Sequence, residues 1–226
     1  MSSWDSETAE WYADKYGEYA TNKLGIESLK LDAGFTVVDI GCGTGCALRH
    51  ASEQVTRGYL IGIDPVPRMI EIARENTAMH SAAGLIVYYE GSAESLPVED
   101  TSADIVLAFD SYDHWQDQPK GLEEVSRVLK PNGRFVVVKD GGLPNGTDAK
   151  KEFVTALTKA NFKIVEEKHI EKDDVTLTQW VCAKSSKLPC GYDAKHNKRF
   201  KSLAPLTRGW LSPPLNLKII FSSNKA

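Results

Sequence analysis

The feature that most restricts the fold of this 226-residue chain is a short apolar run that ends at three alternating glycines. It reads Phe35-Thr36-Val37-Val38-Asp39-Ile40, then Gly41-Cys42-Gly43-Thr44-Gly45. A β-branched run without polar alternation is the pattern of a strand buried on both faces, and such strands belong to parallel sheets covered by helices. Glycines directly after it let the backbone turn tightly and approach a ligand without side-chain collision. A helix is then expected over Ala47 to Gln54. Free N–H groups at its start favour an anionic group by about 0.3–1 kcal/mol. The spacing is GxGxG rather than the GxGxxG of nicotinamide cofactors, which argues against an NAD-dependent oxidoreductase.

The same strand-then-helix pattern repeats downstream. Strands are expected over Tyr59 to Ile63, Leu85 to Tyr89, Ala103 to Phe109 and Arg134 to Lys139, with helices over Pro67 to Met79 and Pro119 to Leu129. Alternation of this kind predicts a doubly wound α/β sheet with helices on both faces. After the fifth strand comes a helix over Ala149 to Ala160, then two strand patterns, Phe162 to Ile170 and Val175 to Ala183, around the polar turn Glu171-Lys172-Asp173-Asp174. That hairpin brings the sheet to seven strands, mostly parallel with an antiparallel C-terminal hairpin strand, which a simple dinucleotide-binding fold does not require. Gly141 to Asp148, with its Asn145-Gly146 turn signal, reads as a loop beside the end of strand five. Residues 5–30 read as one helical region whose aromatics Trp11, Tyr12, Tyr16 and Tyr19 fall mostly on one face. The expected organisation is thus an N-terminal covering region (1–30), a ligand-binding domain (31–184) and a C-terminal extension (185–226).

Composition narrows the class. No run of about 18 apolar residues exists that could span a bilayer, and the N-terminus has acids and aromatics where a signal peptide would have bases and an apolar stretch, so a cytoplasmic location is expected. Cys42, Cys46, Cys182 and Cys190 form no CxxC pair, which argues for reduced thiols and against a structural zinc site. The net charge of −4 conceals an asymmetry: Lys184 to Ala226 contains nine basic residues and a single acid, Asp193. Such a tail can reach nucleic acid or pack on the acidic body; its apolar residues, Trp210, Leu211, Ile219, Ile220 and Phe221 among them, favour packing.

Four blocks, in order, resemble the class I methyltransferases that use S-adenosylmethionine (SAM), in particular the small-molecule and quinone-type branch. They are Val37 to Gly45, Gly62-Ile63-Asp64-Pro65-Val66-Pro67-Arg68-Met69, Gly91-Ser92-Ala93-Glu94-Ser95-Leu96-Pro97, and Arg127 to Phe135. The resemblance implies a SAM site built from Tyr16, Asp39, Gly41, Cys42, Gly43, Asp64, Met69, Ser92, Ala93, Glu94 and Phe109. In it Gly41 and Gly43 run beneath the methionine moiety, Asp64 holds the ribose, Ala93 meets the adenine and Met69 packs on that ring. Tyr16 closes over the methionine carboxylate. Ser92 stands where the family often has Asp, and Asn132 where glycine is usual, with left-handed backbone expected there.

The resemblance also implies an enzyme that moves a methyl group to an O, N or C nucleophile of a small molecule, with S-adenosylhomocysteine (SAH) as product and no metal. An acceptor that must lose a proton needs a base, and the loop Asp110-Ser111-Tyr112-Asp113-His114-Trp115 offers His114, with Asp113 as a second candidate. Asp110 and Asp113 can instead bind a cationic acceptor. The competing readings are an RNA or protein methyltransferase that uses the basic tail, and a SAM-binding regulator without catalysis. The chain is expected as a monomer or homodimer, with the acceptor unspecified.

Overall fold

The computed structural model describes residues 5–143 and 147–185. Seven strands form one sheet in the order β3-β2-β1-β4-β5-β7-β6. The first three are β1 (Thr36–Ile40), β2 (Tyr59–Asp64) and β3 (Ile86–Glu90), which pair in parallel outward from β1. The chain then crosses to the other side of β1 and lays down β4 (Ala103–Phe109) and β5 (Leu129–Asp140), also parallel. The order therefore reverses between β1 and β4. A cleft opens beyond the carboxyl ends of adjacent strands at such a point, because their connections leave on opposite faces.

Helices α2 (Ala20–Glu27), α3 (Cys46–Ala51) and α4 (Pro67–Thr77) pack one face through Ile26, Leu48, Ala51, Ile70 and Ala73. On the other, α5 (Gln118–Val128) and α6 (Asp148–Lys159) contribute Leu122, Val125, Phe153 and Leu157. β7 (Val175–Lys184) runs antiparallel between β5 and β6 (Phe162–Lys172), so the hairpin closes the sheet as the sequence pattern predicts. Its tight turn places Asp173 at φ 54°, a left-handed conformation that Asp tolerates.

The structure departs from the sequence expectation in two places. The region 5–30 is two helices, α1 (Ser6–Tyr16) and α2, because the Gly17 carbonyl leaves the helical ladder to accept a 2.6 Å hydrogen bond from Thr44 Oγ1. Tyr19 then takes extended backbone and starts α2. Asn132 is not in the left-handed region; residues 129–133 instead belong to an extended β5 with a register irregularity opposite Ala103 to Ile105. The strand runs on through these residues, with Leu129 paired to Ala103 and Arg134 to Ile105, and Asn132 takes no positive φ. Tail residues 186–226, including Cys190, and residues 144–146, where the sequence carries the Asn145-Gly146 turn signal, lie outside the described residues.

Two contacts fix α2 over the sheet. Buried Gln179 of β7 donates through Nε2 to the Gly25 carbonyl at 3.1 Å and accepts from Ser28 Oγ at 2.5 Å. Gly25 has no room for a methyl group: an added Cβ would lie 2.5 Å from Phe109 Cε1. Phe109, at the end of β4, is thereby held against α2 at the floor of the cleft. On the opposite face, Trp180 is fully buried, with its ring 5.1 Å from that of Phe153. Trp180→Ala should lower unfolding free energy by about 3–5 kcal/mol in denaturant titrations. The same truncation at Met79, 96% exposed, should change it by less than about 0.5 kcal/mol.

Candidate active site

The cleft at the β1/β4 reversal has a volume of about 880 Å³, near the upper end of the roughly 300–1,000 Å³ typical of small-molecule sites. Its base is the glycine loop. Gly41, Gly43 and Gly45 all take positive φ, at 71°, 51° and 78°. A Cβ on Gly41 would lie 2.5 Å from Ser111 Cβ, and one on Gly45 would strike the Tyr88 phenol, so these two glycines permit close packing. A Cβ on Gly43 would meet nothing, and its bare backbone forms part of the cavity wall. The loop is tied down by Gly41 and Cys42 N–H groups donating to the Ile63 carbonyl, at 2.7 and 3.1 Å. Cys42 is buried with its thiol pushed well up by burial, so it packs rather than reacts.

Two carboxylates reach the cleft from the strands on either side of this loop. Asp39 in β1 is 1% exposed and its Oδ1 has no hydrogen-bond partner among the described residues. Burial, reinforced by the neighbouring Asp64 charge, raises its pKa to about 7. Asp64, at the end of β2, is oriented by two backbone donors: Val66 N–H to Oδ1 at 2.9 Å and Gly43 N–H to Oδ2 at 3.0 Å. Burial raises this carboxyl too, and the two hydrogen bonds oppose the rise. Each oxygen keeps a second acceptor site, enough to receive a pair of hydroxyls.

At one end of the cleft, Ser92, Ala93 and Glu94 follow β3, and Met69 enters from α4, buried beside Val66 and Ala9. Ala93 and Trp115 both pack against the Gly121 position, where an added Cβ would lie 3.3 Å from Ala93 Cβ and 2.5 Å from Trp115 Cε3. Burial pushes the Glu94 carboxyl up, but hydrogen bonds from the Asp117 N–H, at 3.0 Å, and from Ser92 outweigh it and hold the pKa below its ordinary value. Apolar Met69 and Ala93 beside polar Ser92 and Glu94 suit an aromatic base with a polar edge.

The other half of the cavity lies over the carboxyl ends of β4 and β5. Tyr12, Tyr16 and Tyr19 form one wall, and Phe109, Asp110, His114, Lys139 and Asp140 complete the lining. His114 is exposed, in the single turn Tyr112–His114. Every site residue predicted from the sequence therefore lines this one cleft, except Asp113. The Asp113 carboxylate is drawn aside by Lys139 Nζ at 2.8 Å; this ion pair outweighs burial and keeps its pKa low. Sequence reasoning missed Thr21, Lys139 and Asp140, which carry no motif and become neighbours only when α2 and β5 close on the cavity.

The glycine loop is also clasped to the covering helices. Arg49 of α3, only 9% exposed, donates to the Thr44 carbonyl at 2.7 Å and pairs with Glu18 in the turn between α1 and α2. With the Thr44 to Gly17 hydrogen bond, this links the floor of the cleft to its cover.

Residues 38–137 match the family described as the methyltransferase domain. The uncharacterized methyltransferase YcgJ of Bacillus subtilis is 35% identical over 59% of this chain and 52% of its own length. A demethylmenaquinone methyltransferase of Symbiobacterium thermophilum is 34% identical over 47% of this chain and 43% of its own. The chain thus spans about half the length of these curated relatives. A SAM-dependent methyltransferase from Aquifex aeolicus shares the fold with a TM-score of 0.63 and 20% identity, over 79% of this chain and 98% of its own. Sequence blocks, strand order and cleft thus agree: residues 38–137 match a methyltransferase domain, in a chain that shares its fold with a SAM-dependent methyltransferase.

Proposed function

We propose that this chain binds SAM in the cleft and methylates a small-molecule acceptor held over β4 and β5. The observation that carries this reading is Asp39: a buried carboxylate with an unpartnered oxygen, beside a bare glycine loop and a second, pre-oriented carboxylate. Buried polar groups are normally satisfied, and one left unpaired costs roughly 1–3 kcal/mol. A ligand that brings cationic groups and hydroxyls to this point supplies the partners missing among the described residues.

In this reading Asp64 receives the ribose hydroxyls, Ala93 and Met69 flank the adenine, and Gly41, Cys42 and Gly43 lie beneath the methionine portion. Phe109 closes the floor, and Tyr16 covers the cleft from α1. When bound, SAM supplies a methyl group already activated on a sulfonium. The protein's part is to align the acceptor, exclude water beneath the tyrosine wall and remove a proton where the acceptor carries one; alignment alone can contribute roughly 7–11 kcal/mol. His114 lines the acceptor half, its ring not engaged in any hydrogen bond to the described residues, which supports it as the group that takes that proton. No helix among the described residues is long and apolar enough to cross a membrane, and we infer action in the cytoplasm on a dissolved acceptor.

Calorimetric titration should show SAH binding to the full chain, with Asp64→Ala weakening it about 10-fold or more, the worth of charged hydrogen bonds of roughly 1.5–3 kcal/mol. An unchanged dissociation constant would remove Asp64 from the site. His114→Ala should reduce turnover with the true acceptor about 100-fold and leave SAH affinity intact. Unchanged turnover would eliminate it as the base.

The Asp39 carboxyl gives a stability signature as well. Its folded-state pKa, about 7, lies above the ordinary value of 3.8, so between those values the folded protein binds more protons than the unfolded one. Stability contributed by this group is therefore present below about pH 4 and lost as pH rises toward 7. Asp39→Asn should leave the thermal midpoint of the ligand-free protein unchanged near pH 4 and raise it above pH 7, by a free energy of up to about 4 kcal/mol. A gain independent of pH would contradict the buried charge.

A further inference from the structure

The acceptor half of the cavity has a chemistry that selects among acceptors. Tyr12, Tyr16 and Tyr19 form a continuous aromatic wall, with ring centroids 5.1 Å apart for the first pair and 6.1 Å for the second. Asp110 and Asp140 line the same half, and the one Lys or Arg lining the cavity among the described residues is Lys139. That ammonium is already committed, 2.8 Å from Asp113 and 3.9 Å from Asp110. The Asp110 carboxylate accepts a hydrogen bond from the Asp140 N–H at 2.8 Å, and Tyr19 Oη donates to Asp140 at 3.0 Å. The balance of charge at this end is negative, and it is felt across the cavity: burial, then the Asp110 charge, raise the Tyr12 phenol.

A second observation is independent of the acids. Thr21, 1% exposed and part of the cavity lining, has an Oγ1 without a hydrogen-bond partner among the described residues. The tyrosine wall also shows that it can hold a cation, because the Lys15 ammonium lies 5.1 Å from the Tyr16 ring centroid.

Aromatic faces attract cations, carboxylates pair with them, and a threonine hydroxyl can accept an N–H; the three features converge on one ligand chemistry. An anionic acceptor would meet Asp110 and Asp140, with Lys139, the one Lys or Arg lining the cavity among the described residues, already paired to Asp113, and like charges brought together are a means of rejection. Building on the methyl-transfer reading, we propose that the acceptor is a small organic ammonium ion held by the tyrosine wall and Asp110, and that its nitrogen is methylated. An ammonium has no free electron pair, so its proton passes first to His114. The carbon–nitrogen bond then forms as the methyl–sulfur bond breaks, and the sulfur keeps the electron pair.

The test uses the full chain loaded with SAH and two amines, phenethylamine and tryptamine, each against the alcohol and the carboxylate of the same skeleton. Calorimetry should rank the amine about 10-fold or more above both counterparts in each series, and Asp110→Asn should abolish that preference while SAH affinity stays within about twofold. A carboxylate or alcohol that binds as tightly as its amine, or no binding by either amine, overturns the proposal. The wild-type ranking decides the matter should Asp110→Asn not fold. Failure of SAH itself to bind would overturn the methyl-transfer reading, and the acceptor proposal with it; SAH binding without an amine preference overturns the acceptor proposal alone.

Discussion

Two carboxylates held out of water at the ends of neighbouring strands organise this molecule. Asp39 and Asp64 sit where β1 and β2 give way to loops, 1% and 7% exposed. Nearby charges of the same sign in a poorly solvated place are costly, and the protein answers that cost only in part. Asp64 receives the Gly43 and Val66 N–H groups, whereas one oxygen of Asp39 receives nothing among the described residues. A site that is left short of partners in this way is prepared for a ligand rather than for stability, the pattern expected where structure yields to function.

The remainder of the fold positions that pair. Reversal of strand order between β1 and β4 opens the cleft, and the glycines at 41 and 45 let Ser111 and Tyr88 come close enough to hold the loop in place. Arg49 then binds the loop to the turn between α1 and α2, and Gln179 binds α2 to β7. Covering helices and floor are thus one connected structure. The cover, which carries Tyr12, Tyr16 and Tyr19, is joined to the glycine loop through the buried Arg49 guanidinium.

Much of this was legible in the sequence, for definable reasons. Parallel strands buried on both faces are near-continuous apolar runs, so β1 and β4 fall where the pattern places them, and Ala103–Phe109 matches residue for residue. The glycine loop, Asp64 and the segment starting at Gly91 carry local chemistry, and residues of all three line one cleft, the first two with Gly91 to Glu94 of the third. Boundaries set by long-range contacts were not: the break at Gly17 depends on Thr44, which is 27 residues away. The half of the cavity over β4 and β5 was the least legible, because Thr21, Lys139 and Asp140 are ordinary residues in ordinary elements until the fold brings them to one cavity. The pairing of Asp113 with Lys139 spans 26 positions and leaves no local signal.

The central claim, that the cleft takes a cationic ligand against a carboxyl whose ionisation burial resists, is most directly tested by proton-linked calorimetry. SAM would be titrated at pH 7 into wild-type protein and Asp39→Asn in two buffers of different ionisation enthalpy. A cation entering beside Asp39 favours its charged form, so binding should release protons from the wild type and fewer from the variant. Binding with the same proton count in both proteins, or no binding at all, would contradict it.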